Sequence, residues 1–413
     1  MSHVEIEPFK THSKPSTLST KKLLGISGLA WMFDAMDVGI LSFIIAALMK
    51  DWQLNPTQLG WIGSVNSIGM AVGAVFFGIL SDRIGRKQVF IFTLILFSVA
   101  SGLSALTNTL SLFLILRFFV GAGLGGELPV ASTLVSESVP ANKRGQIVVL
   151  LESFWAAGWI LAALIAYFVI PTYGWRVALL LTALPAFYAI YLRLKLPDSP
   201  KFVNTQLTQE KLSLGKKLNL VWSRPYLKST TMLWILWFTV VFSYYGMFLW
   251  LPSVMIGKGF TLIKSFQYIL IMTLAQLPGY FLAAFLIERI GRKWVLISFL
   301  IGTAISAYLF GQAQSAAMLI GYGMLLSFFN LGAWGALYAY TPEHYPTTIR
   351  GTGVGMAAAF GRIGGILGPL LVGYMISFNY SITTIFLFFA LTILLGVIAV
   401  AFLGNETKQT ELE

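Results

Sequence analysis

Apolar stretches of roughly 20 residues follow one another along almost the whole chain, and each is long enough to cross about 30 Å of hydrocarbon as a helix. We place them at residues 23–49, 58–80, 88–107, 111–135, 146–170 and 175–195, and again at 229–256, 265–287, 294–313, 316–340, 351–376 and 381–403. Where the surroundings offer no hydrogen bonds the backbone must satisfy itself, so these runs read as helices rather than open strands. Composition agrees: 57% of the residues are hydrophobic and only 11% charged, and the mean hydropathy is +0.79. Water-soluble domains of this length carry about twice that charge. The expected fold class is an all-α membrane protein with 12 transmembrane helices.

The runs are laid out twice. Gly78-Ile-Leu-Ser-Asp82-Arg83-Ile-Gly85-Arg86-Lys87 returns as Ala284-Phe-Leu-Ile-Glu288-Arg289-Ile-Gly291-Arg292-Lys293, and Pro140-x3-Arg144-Gly145 returns as Pro346-x3-Arg350-Gly351. Both pairs are offset by 206 residues in a chain of 413, which marks a duplicated unit. The duplication is selective, because at the same offset Asp34 maps to Val240, Asp37 to Ser243 and Arg117 to Gly323. The expected domains are a tail at 1–22, a six-helix bundle at 23–195, a polar linker at 196–228, a second bundle at 229–403 and a tail at 404–413. The linker is the one long polar connection and should form short amphipathic helices on the membrane surface.

Charge predicts the orientation. With the N-terminus inside, only Lys50, Arg176, Lys258 and Lys264 of the 28 lysines and arginines face outside, while Arg117 and Arg362 lie within runs. All the others face inward, so both termini are expected in the cytoplasm and the chain in the cell's inner (plasma) membrane as a multi-pass protein. The net charge of +12 then meets anionic lipid rather than nucleic acid. No cysteine is present, and His3, His12 and His344 lack metal-ligand spacing, so neither a metal site nor a cofactor is expected. No Ser/His/Asp arrangement suggests an enzyme, and no GxxxxGK[ST] loop is available for ATP. Residues 1–22 have no short apolar core of the signal-peptide kind.

The paired Gly-x3-[Asp/Glu]-Arg-x-Gly-Arg-Lys loops resemble those of the major facilitator superfamily, and the resemblance covers the whole chain. Arg117-x3-Gly121-x-Gly123, Pro197-Asp-Ser-Pro-Lys201 and Asn405-Glu-Thr-Lys408 look like the sugar-porter and organic-ion branches. Asn405 stands where a proline is usual, and the second loop carries Ala284 and Glu288 for Gly and Asp. Phe33-Asp34-Ala-Met-Asp37-Val-Gly39 looks like the first span of aromatic-acid:proton symporters. Together with the segments at 125–132 and 242–252, it is similar to bacterial niacin permeases. The resemblance implies two six-helix halves related by a pseudo-two-fold axis, working as a monomer by alternating access. It also implies a small-molecule substrate, niacin or a related aromatic carboxylate, imported with protons. A benzoate-type acid, a sugar or a drug is the alternative cargo, and a non-transporting sensor on the same fold is the remaining one. The Pro-Gly signature of antiporters is missing from span five, which contains Gly158 and no internal proline.

Six ionisable residues fall inside runs: Asp34, Asp37, Arg117, Glu127, Glu152 and Arg362. Each costs at least about 2.5 kcal/mol at mid-bilayer unless it meets a partner or water, so each is a functional candidate. Asp34 and Asp37 share a helix face, and their mutual repulsion suits a proton carrier. The sugar-porter resemblance implies that Asp34 faces Arg117 and that protonation loosens the pair, the alternative being a static buried pair. Arg362 has no acid within a helical turn, and its guanidinium fork matches a carboxylate. That carboxylate is the substrate's; the alternatives are a gate pair with Glu127 or Glu152, or contact with a backbone carbonyl.

Two stripes could hold a flat heteroaromatic ring: Glu152, Trp155 and Trp159 at i, i+3, i+7, and Asn330, Trp334 and Tyr338 at i, i+4, i+8. In this reading Asn330 reaches a ring nitrogen. The alternative is that the aromatics are interface anchors or packing. Tyr244, Tyr245, Gln276 and Asn66 are lesser candidates. Asp82, Arg83, Arg86, Glu137 and Arg144, with Glu288, Arg289, Arg292, Glu343 and Arg350, are read as gate pairs that lock the inner ends in one state and part in the other.

Overall fold

A computed structural model describes residues 20–84, 86–138, 141–185, 187, 214–346 and 348–408; side chains at 20–23, 78–79, 81–87, 90, 126–144 and 214 are not described. The described chain is helical. The first half holds α1 (Thr20–Asp51), α2 (Pro56–Ile84), α3 (Arg86–Ser104), α4 (Leu110–Ser138) and α5 (Ala141–Leu181). After the short α6 (Leu214–Val221) come α7 (Arg224–Phe248), α8 (Leu251–Gly257), α9 (Leu262–Leu274), α10 (Gln276–Ile287), α11 (Arg292–Gln312) and α12 (Ala316–Tyr340). A 3-10 turn at Thr341–His344 leads to α13 (Arg350–Ser377) and α14 (Ile382–Leu403).

Among the described residues, nine helical spans are long and apolar enough to cross a membrane, and Ile91–Ser104 and Leu110–Gly125 are shorter apolar helices. One of the nine contains a turn of the chain. Within α5, Gly174 adopts φ 82° and ψ 166° three residues after Pro171, a conformation open mainly to glycine. The break falls between the fifth and sixth runs of the sequence. The seventh and eighth runs are each interrupted too. α7 gives way to α8 at Leu249 and Trp250, just ahead of Pro252. α9 and α10 meet at Ala275, because Pro278 has no N–H for the carbonyl four residues back.

Helix starts are marked by local chemistry. Asn55 Oδ1 accepts from the Gln58 amide at 2.9 Å, and Gln58 Oε1 accepts in return from the Asn55 amide at 3.0 Å. This reciprocal cap precedes a proline at the first position of α2. Thr261, Ser315 and Ser381 cap α9, α12 and α14 by accepting from the amide three residues on. The duplication is visible in these starts. Pro56, Arg86 and Leu110 begin α2, α3 and α4, and Leu262, Arg292 and Ala316, each 206 residues later, begin α9, α11 and α12.

Packing follows the same plan twice. α1 lies on α5 as α7 lies on α13, and α4 contacts α2 and α3 as α12 contacts α10 and α11. Small residues set the closest approach. A methyl carbon at Gly121 or Gly125 of α4 would sit 2.0 Å from the carbonyl oxygens of Asn66 and Met70 in α2, so the two backbones touch. The halves meet where α2 packs on α13 and α5 packs on α9, α10 and α12. Ser64 Oγ donates across this seam to the Ile366 carbonyl at 2.6 Å. At one end of the seam the Thr57 and Ser377 hydroxyls are 3.0 Å apart. At the other the Gln146 amide donates to Glu288 Oε1 at 3.3 Å. The outer surface is apolar, with Val75, Phe76, Phe168, Phe285 and Phe402 exposed, as lipid requires.

Gly121→Val is expected to cost about 1–3 kcal/mol through overpacking, read as a lower thermal midpoint in detergent. Gly355→Ala, inside α13 at a position where an added carbon meets nothing within 4 Å, should instead hold or raise that midpoint, since alanine favours a helix over glycine by up to about 1 kcal/mol.

Candidate binding site

The first buried polar group belongs to the N-terminal half. Asp37 on α1 and Arg117 on α4 are both fully buried, with Arg117 Nη1 3.5 Å from Asp37 Oδ2. Ser101 of α3 donates to Asp37 Oδ1 at 2.5 Å, and Arg117 Nη2 donates to Ser101 and Ser104 at 2.9 and 3.0 Å. Ser101 is also 2.6 Å from the Thr182 hydroxyl. The partner of Arg117 is therefore Asp37, and the expected Asp34–Arg117 pair is corrected. Three residues advance a helix by about 4.5 Å, and it is at the level of Asp37 that the α3 hydroxyls and the guanidinium converge. Asp34 is itself buried, at 2% exposure.

A second group lies between the halves. Trp155 Nε1 on α5 donates to the Tyr244 hydroxyl of α7 at 2.7 Å. The Trp155 ring stacks on Trp334 of α12, with centroids 6.1 Å apart and planes at 21°. Trp31 of α1 lies 5.4 Å from Trp155 and 6.2 Å from Tyr338, and Trp159 packs edge-on to Tyr244 at 6.1 Å. Arg362 of α13 joins this group through Tyr245, to whose hydroxyl Nη1 donates at 3.2 Å, with Met70 Sδ at 3.5 Å. Tyr245 follows Tyr244, and their rings are 5.3 Å apart. Arg362 is only 9% exposed, and among the described residues no carboxylate pairs with it.

Like Asp37 Oδ2 and Arg117 Nε and Nη1 in the first group, several buried polar atoms of this second group make no hydrogen bond to a described residue. Both Glu152 oxygens, the indole nitrogens of Trp31, Trp159 and Trp334, the Tyr280 hydroxyl, the Gln276 amide and Asn330 Oδ1 are buried and make no protein hydrogen bond. Asn66 Oδ1 is in the same condition on α2. An unsatisfied buried polar group costs about 1–3 kcal/mol, and such a set in one place is what a site built for a polar ligand displays. Flat aromatic faces with a few converging polar groups suit a small planar molecule.

Residues at the junction of α10 and α11 in the second half form a third group. Arg292, 1% exposed, donates to both oxygens of Glu288 at 2.8 and 3.1 Å, and its Nε donates to Glu343 Oε2 at 3.1 Å. Its backbone amide donates to Glu406 at 2.8 Å, and Thr407 donates to Glu343 at 2.6 Å. Arg289 lies over the Phe285 ring at 4.0 Å, and Arg350 donates to the carbonyls of Pro342 and Tyr345. The side chains of Asp82, Arg83, Arg86, Glu127, Glu137 and Arg144 lie outside the described residues.

Several participants escape the sequence reading. Trp31 stands three residues before Asp34, and Tyr280 stands four after Gln276, so helical spacing from known candidates could have found both. Ser101, Ser104, Thr182 and Met70 carry no signal, because small polar residues and methionine are common in any apolar helix. Glu406 is part of the C-terminal Asn-Glu-Thr-Lys motif, which marks a family and not a contact.

Residues 28–277 and 266–413 match the Major Facilitator Superfamily. A Bacillus subtilis (strain 168) protein provisionally named niacin/nicotinamide transporter NiaP is 65% identical, over 97% of this chain and 100% of its own length. The niacin transporter NiaP of Acinetobacter baylyi is 47% identical over 95% of each chain, and the benzoate transport protein of that organism is 28% identical over 95% and 91%. Among solved structures, the proton:xylose symporter XylE aligns with a TM-score of 0.76 over 95% of this chain and 97% of that one, at 18% identity. That last likeness is one of fold.

Removing one member of a fully buried pair leaves an uncompensated charge, at about 3–5 kcal/mol. Asp37→Ala should therefore lower the thermal midpoint in detergent more than the double change Asp37→Leu with Arg117→Met, which removes both charges.

Proposed function

Because this chain belongs to the Major Facilitator Superfamily, we propose that it is a secondary active transporter that imports niacin by proton symport with alternating access. The names of the two closely similar relatives support the substrate. The observation that carries the reading is Arg362: a guanidinium, buried between the halves beside an aromatic cluster, for which no described residue supplies an anion. A carboxylate bound bidentately is the ligand that best satisfies it, and the stacked indoles of Trp155 and Trp334 offer faces to a flat ring.

The full architecture in this reading is twelve spans in two six-helix halves, with both termini cytoplasmic, in the inner membrane, as a monomer. The matched packing of the halves and the paired helix starts support that count. Energetics support the proton. An anion moving into a negative interior loses about 2.3 kcal/mol per 100 mV, and one accompanying proton makes the step electroneutral. Asp34 and Asp37 on α1 are the proposed proton carriers, with Arg117 as the charge that one of them releases when protonated. Glu288, Arg292, Glu343 and the loop residues of the first half act as the inner gate in this reading. The Gln146–Glu288 contact joins the halves at that end.

Labelled nicotinate uptake into proteoliposomes should rise several-fold with an inward proton gradient, and Asp34→Asn should keep exchange while losing uphill uptake. Uptake indifferent to the gradient overturns proton symport. Arg362→Ala should reduce nicotinate uptake about 10- to 100-fold, the scale of a hydrogen-bonded charge pair, and neutral nicotinamide uptake by less than about threefold.

A further inference from the structure

The carboxyl group of Glu152 has no role in the proposed coupling and no satisfied contact. Glu152 lies on α5, one turn before Trp155, and is fully buried. Neither of its oxygens has a hydrogen-bond partner. The indole N–H groups of Trp31 and Trp334 approach it without reaching hydrogen-bond geometry. Those two nitrogens are unsatisfied as well, and so is the nearby Tyr280 hydroxyl. Two indole N–H groups and a phenol, from α1, α12 and α10, thus lie close to the α5 carboxyl group, and none of the four has a hydrogen-bond partner among the described residues.

Glu152 and Arg362 are two poles of the same buried aromatic cluster. Tyr338 lies within electrostatic reach of both Glu152 and Arg362, and its ring packs against Trp31 and Trp334. One pole is a fixed positive charge that wants an anion. The other is a carboxyl group that wants a hydrogen-bonding atom, with aromatic faces between them. A benzene carboxylate satisfies the first pole and leaves Glu152 against a C–H edge. A pyridine carboxylate satisfies both.

Resting on the niacin reading above, we infer that Glu152 hydrogen-bonds the ring nitrogen of the substrate through one proton held between them, and so selects a pyridine carboxylate over a benzene carboxylate. A carboxylate and a pyridine nitrogen are both acceptors when deprotonated, so attraction requires that single proton, which bonds to one and is accepted by the other. No bond to carbon changes. The titratable groups facing Glu152 are Tyr280 and Tyr338, from α10 and α12; α1 contributes the indole of Trp31. The assignment goes to Glu152 ahead of Asn330 because a site that hydrogen-bonds a substrate atom discriminates most when its own group is left unpaired by the wrong ligand. Glu152 has both oxygens in that condition.

The test is competition against labelled nicotinate on the purified full-length protein, using benzoate, which has a C–H in place of the ring nitrogen. Wild type should prefer nicotinate to benzoate by about tenfold or more, the scale of one hydrogen bond whose loss strands a buried group. In Glu152→Met, nicotinate affinity should fall to that of benzoate while benzoate changes less than about threefold. Glu152→Gln, whose amide N–H can still donate to the ring nitrogen, should keep most of the preference. Equal loss of both ligands in Glu152→Met indicates a structural role and overturns the inference. A preference that survives Glu152→Met overturns it too. A wild-type protein that binds benzoate and nicotinate alike defeats this inference alone, whereas one that binds neither defeats the niacin reading with it.

Discussion

Hydrocarbon accepts and donates no hydrogen bonds, and a polar atom placed in it must find a partner within the protein or within something the protein binds. The helices meet that demand for the backbone, and the residues buried between them meet it for most side chains. Glycines 121 and 125 let α4 touch α2 backbone to backbone, which leaves no void for lipid or water between these two helices. Asp37 and Arg117 share Ser101, and Ser104 adds a second hydroxyl, although Asp37 Oδ2 and Arg117 Nε and Nη1 make no hydrogen bond. The middle of the seam carries a further group of this kind. There Glu152, Trp31, Trp334, Tyr280 and Gln276 all hold unsatisfied atoms, and Arg362 holds a charge with no counter-charge among the described residues.

The duplicated scaffold and the unduplicated chemistry fit together. Helix starts repeat at 206 residues and packing pairs repeat with them, so each half presents a similar surface to the seam. The side chains on that surface differ. At the same offset Glu152 corresponds to Ala358, Trp155 to Gly361 and Arg362 to Ala156. The acid and the indole therefore come from one half and the guanidinium from the other, so the pole from each half is distinct. For a proposed transporter this arrangement is useful, since a ligand bridging both poles ties the halves together at one point about which they can rock.

The sequence was informative where a residue's cost in lipid is high, and silent where it is low. Arg117, Asp37, Glu152 and Arg362 stand out in any apolar run because an ionisable group there demands an explanation. Ser101 and Ser104 cost little and occur widely, so nothing marks them before α3 is packed on α4. Choosing between Asp34 and Asp37 as the partner of Arg117 was beyond the sequence for a related reason. Both lie on one face three residues apart, and the difference is the height at which another helix presents its hydroxyls. The proposed gate follows the same division: Glu288 and Arg292 come from a repeated motif, whereas the contact of Glu406 depends on the segment after α14 folding back onto the start of α11.

What the sequence determined by itself was periodic or costly: the apolar runs, the 206-residue repeat, the uneven distribution of lysine and arginine among the connecting segments, and the identity of the buried charges. Each is a property of a residue and its neighbours along the chain, paid for in the transfer free energy of that segment. What only the tertiary structure decided was which of those charges meet. Arg117 found Asp37, Arg362 found a tyrosine and a methionine sulfur in place of an acid, and Glu152 found two indoles it does not quite reach. Pairing depends on the crossing and depth of helices far apart in sequence, and those are fixed by backbone contacts at glycines that carry no charge at all.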